Sequence, residues 1–216
     1  MSIVFVTGTD TGVGKTFVTC ALALALLAQG RQVGVVKPVE TGVDGEPDDA
    51  RRLAAAAGDT SPLDDVCPYR LRAPLAPSVA AAREGIVIDL DHLVQLITRR
   101  ARTVDVLLVE GAGGLLVPIV GSTTYLDLAQ RLAAPLLIVA ANQLGTVNHA
   151  ALTARVAVSA GVTVLGFVLS QPSPTTDPSA ETNADTIATT TGLRCLGVLP
   201  HLPSPREASG LLAVPS

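Results

Sequence analysis

The sequence predicts an α/β protein with a mostly parallel β-sheet covered by helices on both faces. Short apolar runs rich in β-branched residues alternate with longer segments of helical pattern, and this order of elements builds parallel sheets. No internal repeat or low-complexity tract interrupts the alternation. Since 216 residues suit one domain, we expect residues 1–216 to form a single domain, with a loosely held tail over residues 204–216.

Six segments have the composition of buried strands, and four longer segments have helical patterns. The strands are expected at residues 3–7, 33–37, 104–109, 135–140, 162–169 and 195–199. The helices are expected at residues 15–28, at 90–101 after a cap by Asp89, from Val147 or Asn148 to Gly161, and, more weakly because of its threonines, at 181–191. A short helix is expected to begin at Asp48 and Asp49. The Pro-rich stretches 68–78 and 171–178 are predicted to be loops.

Composition excludes several classes of function. With 15 basic and 19 acidic residues, two tyrosines, three phenylalanines and no tryptophan, the chain lacks the charge and the stacking surfaces of nucleic-acid binders. Cys20, Cys67 and Cys195 lie far apart, which predicts buried thiols and neither a zinc site nor a disulfide. The apolar runs are too short to span a membrane. Since residues 1–6 resemble a strand and not a signal peptide, we expect a cytoplasmic protein.

The clearest motif is Gly8-Thr9-Asp10-Thr11-Gly12-Val13-Gly14-Lys15-Thr16, which follows a predicted strand and opens a predicted helix. In this context backbone amides and the helix N-terminus cradle phosphates, Lys15 reaches the β- and γ-phosphates, and Thr16 can hold Mg²⁺. Five residues instead of four separate Gly8 from Gly14, so the loop is a variant of the usual phosphate-binding pattern. The alternative is a Gly-rich turn with a surface lysine.

Polar residues follow three further strands, at the edge of the sheet where parallel folds bind ligands. Lys37 ends the second strand and offers a second cation for a transferring phosphoryl group; alternatively, it is a surface lysine. Asp49 and Glu110 could hold Mg²⁺ together with Thr16, although the Asp48-Asp49 pair also suits an ordinary helix start. A polar loop, residues 142–149, enters another helix whose start favours anions but also needs a cap.

Four motifs in order and spacing resemble the dethiobiotin synthetase family: GTDTGVGKT, KPVETG, EGAGGLLVP and LGTVNH. The resemblance runs from Ile3 to about Pro200, and the extra residue of the phosphate loop is shared by that family. It implies a P-loop NTPase-like fold and an ATP-dependent ligase of biotin biosynthesis. Such an enzyme closes the ureido ring of dethiobiotin from 7,8-diaminononanoate, CO₂ and ATP through a phosphorylated carbamate. It also implies a homodimer with a site shared across the interface.

The same resemblance assigns roles to individual residues. Lys15, Lys37 and Thr11 would be catalytic, Thr16, Asp49 and Glu110 would hold Mg²⁺, and Thr41 would contact the diamine or carbamate. The substrate carboxylate would bind Gly145, Thr146, Val147 and Asn148. The residues expected to bind the nucleotide are Gly12, Val13, Gly14, Lys15, Thr16, Phe17, Asp49, Glu110, Gly111, Ala112, Gly113, Ser170, Gln171, Pro200, His201 and Leu202.

Two positions depart from the family pattern. Many relatives carry Glu where this chain has Gly12, so a contact to nucleotide or metal is expected to be missing. Many also carry Asn-Asp, which reads adenine, where Ser170-Gln171 stand here. We therefore expect a weaker preference for ATP over other nucleotides than is usual, with Gln171 still able to hydrogen-bond the base.

The main rival is a nucleotide-driven switch of the partition-ATPase or iron-protein kind, which shares the fold. Those proteins place a second lysine five residues before the phosphate-loop lysine, where this chain has Asp10. An amidoligase related to cobyrinate synthesis would need an additional glutaminase domain, for which the chain has no length. A nucleotide-storing structural protein is a third possibility. None of His92, His149 and His201 has a visible acid or nucleophile partner, and we assign none of them to catalysis.

Overall fold

The computed structural model describes residues 2–175 and 177–214. Its strands are β1 (Ser2–Gly8), β2 (Val33–Val36), β3 (Val39–Thr41), β4 (Tyr69–Leu71), β5 (Val106–Gly114), β6 (Pro118–Val120), β7 (Thr123–Thr124), β8 (Leu136–Ala141), β9 (Val164–Ser170) and β10 (Cys195–Leu199). Its helices are α1 (Lys15–Ala28), α2 (Asp48–Ala57), α3 (Leu63–Val66), α4 (Pro77–Glu84), α5 (Leu90–Ala101), α6 (Tyr125–Arg131), α7 (Thr146–Ser159), α8 (Ala180–Thr191) and α9 (Pro205–Ala208), followed by a 3₁₀ turn at Ser209–Leu211.

The central sheet confirms the predicted fold class. Among the described residues, six strands pair in parallel in the order β10-β9-β8-β1-β5-β2, and each of them overlaps one of the six predicted strand segments. Successive side chains of a strand point to opposite faces. In β1, Val4 and Val6 pack into one core while Phe5 packs into the other. A strand buried on both faces must be apolar at every position, which explains the unbroken apolar runs.

Helices cover both faces of this sheet. Helices α1 and α2 pack in one core, whereas α4, α5 and α6 pack in a second core on the opposite face. Helices α7 and α8 extend that second layer over β8 and β9. Within the part of the chain that the structure describes, no helix is both long and apolar enough to cross a membrane.

Both edge strands of the sheet are covered. On the outer side of β2, the backbone N–H of Val35 donates to Asp59 at 3.0 Å, and Arg100 donates to the Val35 carbonyl oxygen at 2.8 Å. Arg100 and Asp59 also form an ion pair with side chains 7% and 5% exposed. At the other edge, the N–H of Ala213 donates to the carbonyl oxygen of Leu196 in β10 at 2.7 Å.

Two expectations about irregular segments differ from the structure. The stretch 68–78 is not all loop, because it contains β4, which pairs with β3, and the start of α4. Pro77 is compatible with this helix since the first helical residue needs no N–H donor. After Ser204, where the sequence predicts a loosely held tail, α9 packs against α1 and buries Ala208 completely. The stretch 171–178 has no helix or strand in its described residues, and Thr176 lies outside them.

Candidate active site

The phosphate-binding loop connects β1 to α1 and is shaped by glycines. Gly14 precedes α1 with φ of 90°, a left-handed conformation that other residues adopt at a cost. A Cβ atom at Gly14 would also lie 2.5 Å from the Ser170 hydroxyl oxygen at the end of β9. Because Gly14 has no side chain that could cap α1, the first amides of this long helix remain available to an anion.

Lys15 folds back over the loop and is 7% exposed. Its ammonium donates to the carbonyl oxygen of Asp10 at 2.8 Å. Burial, together with the nearby charge of Lys37, lowers the pKa of Lys15 to about 8, although Glu110, Asp49 and Asp10 oppose this shift. The ammonium is therefore destabilised by its surroundings and would be stabilised by an anion in the loop.

Lys37 lies between two carboxylates that come from different elements. Its Nζ is 2.6 Å from Glu110 Oε1, in β5, and 2.9 Å from Asp49 Oδ2, in the first turn of α2. Burial alone would lower the pKa of Lys37, but the two carboxylates raise it well above its usual value. Burial likewise opposes ionisation of Asp49, but Lys37 and the Thr16 hydroxyl bring its pKa below the usual value. Lys37 and Asp49 are consequently both charged at neutral pH.

Glu110 is fully buried and is held by hydroxyl groups from α1. Its Oε1 accepts from Thr16 Oγ1 at 2.9 Å, and its Oε2 accepts from Thr19 Oγ1 at 2.6 Å. Thr19 is a site residue that the sequence analysis missed. Its position could have indicated this role, because Thr19 lies three residues after Thr16 and therefore on the same face of α1.

Glu40, the middle residue of β3, is a second residue that the sequence analysis missed. Its two carboxylate oxygens accept the backbone N–H groups of Asp49 at 3.0 Å and Ala50 at 2.9 Å. Burial raises the pKa of Glu40, although these two amides oppose the shift. Glu40 therefore caps α2, whose N-cap residue is Pro47 and which has no capping side chain of its own there.

The side chains of Thr16, Asp49 and Glu110 fit a magnesium ion. They supply one hydroxyl and two carboxylates, which are the hard oxygen ligands that Mg²⁺ prefers, and few enough to leave positions for phosphate oxygens and water. Lys37 contacts both carboxylates, so the structure brings together the donors that such a cation would need. Within residues 2–175 and 177–214, no three His, Cys, Asp or Glu side chains lie close enough together to hold a metal ion by themselves.

A cavity of about 770 Å³ opens in front of these residues, a volume typical of small-molecule sites. Most of the expected nucleotide and substrate residues line it: Thr11, Gly12, Gly14, Lys15, Thr16, Phe17, Lys37, Thr41, Asp49, Ala112, Gly113, Ser170, Gln171, Pro200, His201 and Leu202. Glu110 and Gly111 are buried behind it, and the side chain of Val13 belongs to the core. Further lining residues were not predicted from the sequence, among them Glu40, Arg52 and Pro74 to Pro77.

The expected carboxylate-binding residues do not line this cavity. Of residues 145–148, Thr146 lines a smaller space of about 120 Å³ between the phosphate loop and the start of α7, which shares Thr11, Gly12 and Pro172 with the main cavity. Thr146 is 3% exposed, and its hydroxyl has no hydrogen-bond partner among the described residues. Asn148 is exposed. Gly145, Val147 and Asn148 line neither of the two spaces.

Comparison with solved structures gives the same fold at low sequence identity. The chain matches a structure of the MinC:MinD cell division protein complex from Aquifex aeolicus with a TM-score of 0.59 and 15% identity. The match covers 94% of this chain and 83% of the other. At this identity the match supports the fold and nothing more.

Sequence comparison is more specific. A family model described as an AAA domain matches residues 2–209. The ATP-dependent dethiobiotin synthetase BioD of Anaeromyxobacter dehalogenans is 47% identical over 200 residues, covering 92% of this chain and 90% of the relative. The enzyme of the same name from Bacillus thuringiensis is 40% identical, covering 93% and 84%. With its parallel sheet, its phosphate loop and these relatives, the chain belongs to the family of ATP-dependent dethiobiotin synthetases.

Proposed function

We propose that this chain, acting as one ligase domain, forms dethiobiotin from 7,8-diaminononanoate, CO₂ and ATP and releases ADP and phosphate. The observation that carries the proposal is the convergence of Lys15, Lys37, Thr16, Asp49 and Glu110 beside one cavity at the carboxyl ends of β1, β2 and β5. Two ammonium groups and oxygen ligands for a cation suit the transfer of a phosphoryl group.

The reaction begins with one amine of the diamine, which adds to CO₂ and loses a proton to give a carbamate. A carbamate oxygen then bonds to the γ-phosphorus of ATP as the bond to ADP breaks. Lys15 and Lys37 stabilise the negative charge of the transferring group, and Thr11, at the cavity wall, contributes to holding the phosphates. A magnesium ion held by Thr16, Asp49 and Glu110 would neutralise phosphate charge.

Ring closure follows on the phosphorylated carbamate. The second amine attacks the carbamate carbon, the bond to phosphate breaks, and the amine loses a proton. Thr41 ends β3 and lines the cavity four residues after Lys37, so its hydroxyl can orient the carbamate or an amine. The chain's part in this step is to hold the two reacting groups together and to stabilise the leaving phosphate.

The base of the nucleotide would lie against the residues that end β9 and follow β10. Ser170, Gln171, Pro200, His201 and Leu202 line one side of the cavity. Because Ser170-Gln171 replace the usual Asn-Asp, we expect ATP and CTP to be turned over at similar rates. A comparison of initial rates at equal nucleotide concentration tests this, and strong discrimination against CTP would contradict it.

A homodimer would complete the substrate site. Thr146 has an unpartnered hydroxyl, among the described residues, at the start of the 14-residue helix α7, where a carboxylate is favoured. Leu144 and Leu152 are 80% and 54% exposed beside it, which suits a surface covered by a second copy. We expect light scattering to give the mass of a dimer under assay conditions. A fully active monomer would contradict this arrangement.

A partner-regulated ATPase switch is the alternative function, and Asp10 in place of the expected lysine disfavours it. The two functions differ in what triggers phosphate release. With Mg²⁺, bicarbonate and ATP present, a synthetase releases phosphate only when 7,8-diaminononanoate is added, and dethiobiotin accumulates with it in equal amount. Phosphate release that is independent of the diamine would contradict the proposal.

A further inference from the structure

The position of the Asp49 carboxylate depends on its backbone as well as on the contacts of its side chain. Asp49 is the second residue of α2 and reaches Lys37 at 2.9 Å while remaining 35% exposed. The segment before it, residues 42–47, includes Gly42 and Gly45 with positive φ angles. A glycine-containing connection of this kind has many conformations open to it and does not by itself fix the start of α2.

Ala50 and Leu53 pack α2 into the core, and Glu40 anchors the first turn of the helix. Glu40 lies in β3, three residues after Lys37, and is 7% exposed. Each of its carboxylate oxygens accepts one backbone N–H, from Asp49 at 3.0 Å and from Ala50 at 2.9 Å. Such charge-assisted bonds at a helix start are stronger than neutral ones. Strand β3, which follows Lys37 in the chain, thus holds the start of α2. Helix α2 in turn carries Asp49, which pairs with Lys37.

On the basis of the proposed function, we infer that Glu40 is a positioning residue that fixes the Asp49 carboxylate in place for the metal and for Lys37. Glu40 also lines the main cavity, but each of its two oxygens already accepts a backbone amide, so a positioning role does not require contact with the substrate. Its effect passes through the backbone of Asp49 to the side chain of the same residue. Partners that orient a metal ligand in this way typically account for about 10-fold to 100-fold in metal affinity or activity.

The first experiment measures metal affinity directly. Mn²⁺ binding to the ADP complex is followed by the loss of the free-ion EPR signal, for the natural chain and for Glu40→Ala, Glu40→Gln and Asp49→Asn. We expect Glu40→Ala to weaken Mn²⁺ binding about 10-fold or more and to leave ADP affinity without metal unchanged. Glu40→Gln should fall between, because its amide oxygen can accept only one of the two N–H groups while its NH₂ faces the other.

A matched control removes a charge from the same helical turn without touching the anchor. Asp48 precedes Asp49, and its side chain is 82% exposed and pairs with Arg52 at 3.6 Å. Asp48→Ala should leave Mn²⁺ affinity within about twofold of the natural value, since exposed pairs of this kind contribute little.

Hydrogen exchange gives a second readout. The amides of Asp49 and Ala50 should exchange faster in Glu40→Ala, whereas those of β1 and β5 should keep their protection.

The outcomes separate this inference from the function on which it rests. If Asp49→Asn weakens Mn²⁺ binding and both Glu40 variants bind as the natural chain does, Glu40 is not a positioning residue, although the metal site stands. If Asp49→Asn also binds normally, the metal assignment fails and the role of Glu40 fails with it. A positioning role further predicts that excess Mg²⁺ restores turnover in Glu40→Gln. A loss of turnover that no Mg²⁺ concentration restores would overturn it.

Discussion

The buried ammonium of Lys15 predicts that nucleotide binding takes up protons at mildly alkaline pH. In the free protein its pKa is about 8, mainly because of burial and secondly because of Lys37. A bound phosphate next to the ammonium stabilises the charged form and raises that pKa again. Where Lys15 is partly deprotonated in the free protein, binding must therefore restore the missing fraction of a proton from solvent.

The size of the effect follows from the fraction that is deprotonated. For a pKa of about 8, Lys15 lacks about a tenth of a proton at pH 7, about half at pH 8 and about nine tenths at pH 9. Uptake on binding should rise through the same series. ADP suits the measurement, because its terminal phosphate is already ionised at pH 8 and above and no reaction follows.

Isothermal titration calorimetry in buffers of different ionisation enthalpy measures this uptake. At each pH, the slope of the observed binding enthalpy against buffer ionisation enthalpy gives the number of protons exchanged. Lys15→Arg is the matched control, because a guanidinium stays charged throughout this range and should show almost no uptake. A slope that stays near zero from pH 7 to pH 9 in the natural chain would refute the reasoning, as would equal slopes for the two proteins.

Three further predictions test the site and the fold. Lys37→Ala should lower kcat by about 10²-fold to 10³-fold with ADP binding retained in calorimetry, and an undiminished rate would remove Lys37 from the mechanism. Arg100→Ala leaves Asp59 buried without its cation and should cost about 3–5 kcal/mol in urea unfolding, whereas its exposed neighbour variant Arg99→Ala should cost less than about 1 kcal/mol; equal costs would contradict the buried pair. A chain that ends at Gly210 should aggregate more readily in light scattering because β10 loses its cover, and unchanged solubility would count against that protective role.

The parts of the site that the sequence predicts are those encoded in continuous motifs. The phosphate loop needs only its local order of glycines, Lys15 and Thr16 between a strand and a helix, so the residues alone identify it. Lys37 follows from its position after β2, because parallel strands bring their carboxyl ends to one edge. Glu110 follows the buried run 106–109, although β5 continues beyond it to Gly114. The fold class follows from the same alternation of strands and helices.

The parts that the sequence analysis missed depend on contacts between distant segments. Thr19 acts on Glu110, 91 residues away, and an ordinary threonine in an Ala-rich helix gives no local sign of that contact. Glu40 caps α2 only because the loop after it turns back, and no propensity fixes that path. Helix α6 was also not predicted, although the capping box of Thr124 and Asp127 that begins it is visible in the sequence. Helix α4 was not predicted because its first residue, Pro77, was taken to indicate a loop.

The covered edges of the central sheet limit how this protein can assemble. The Arg100–Asp59 pair bonds both backbone groups of Val35 in β2, and Ala213 bonds the Leu196 carbonyl in β10. Each edge therefore has fewer free amides and carbonyls with which to recruit a strand of another copy. A pair of copies that met through helical surfaces would leave the sheet, and the phosphate loop mounted on it, undisturbed.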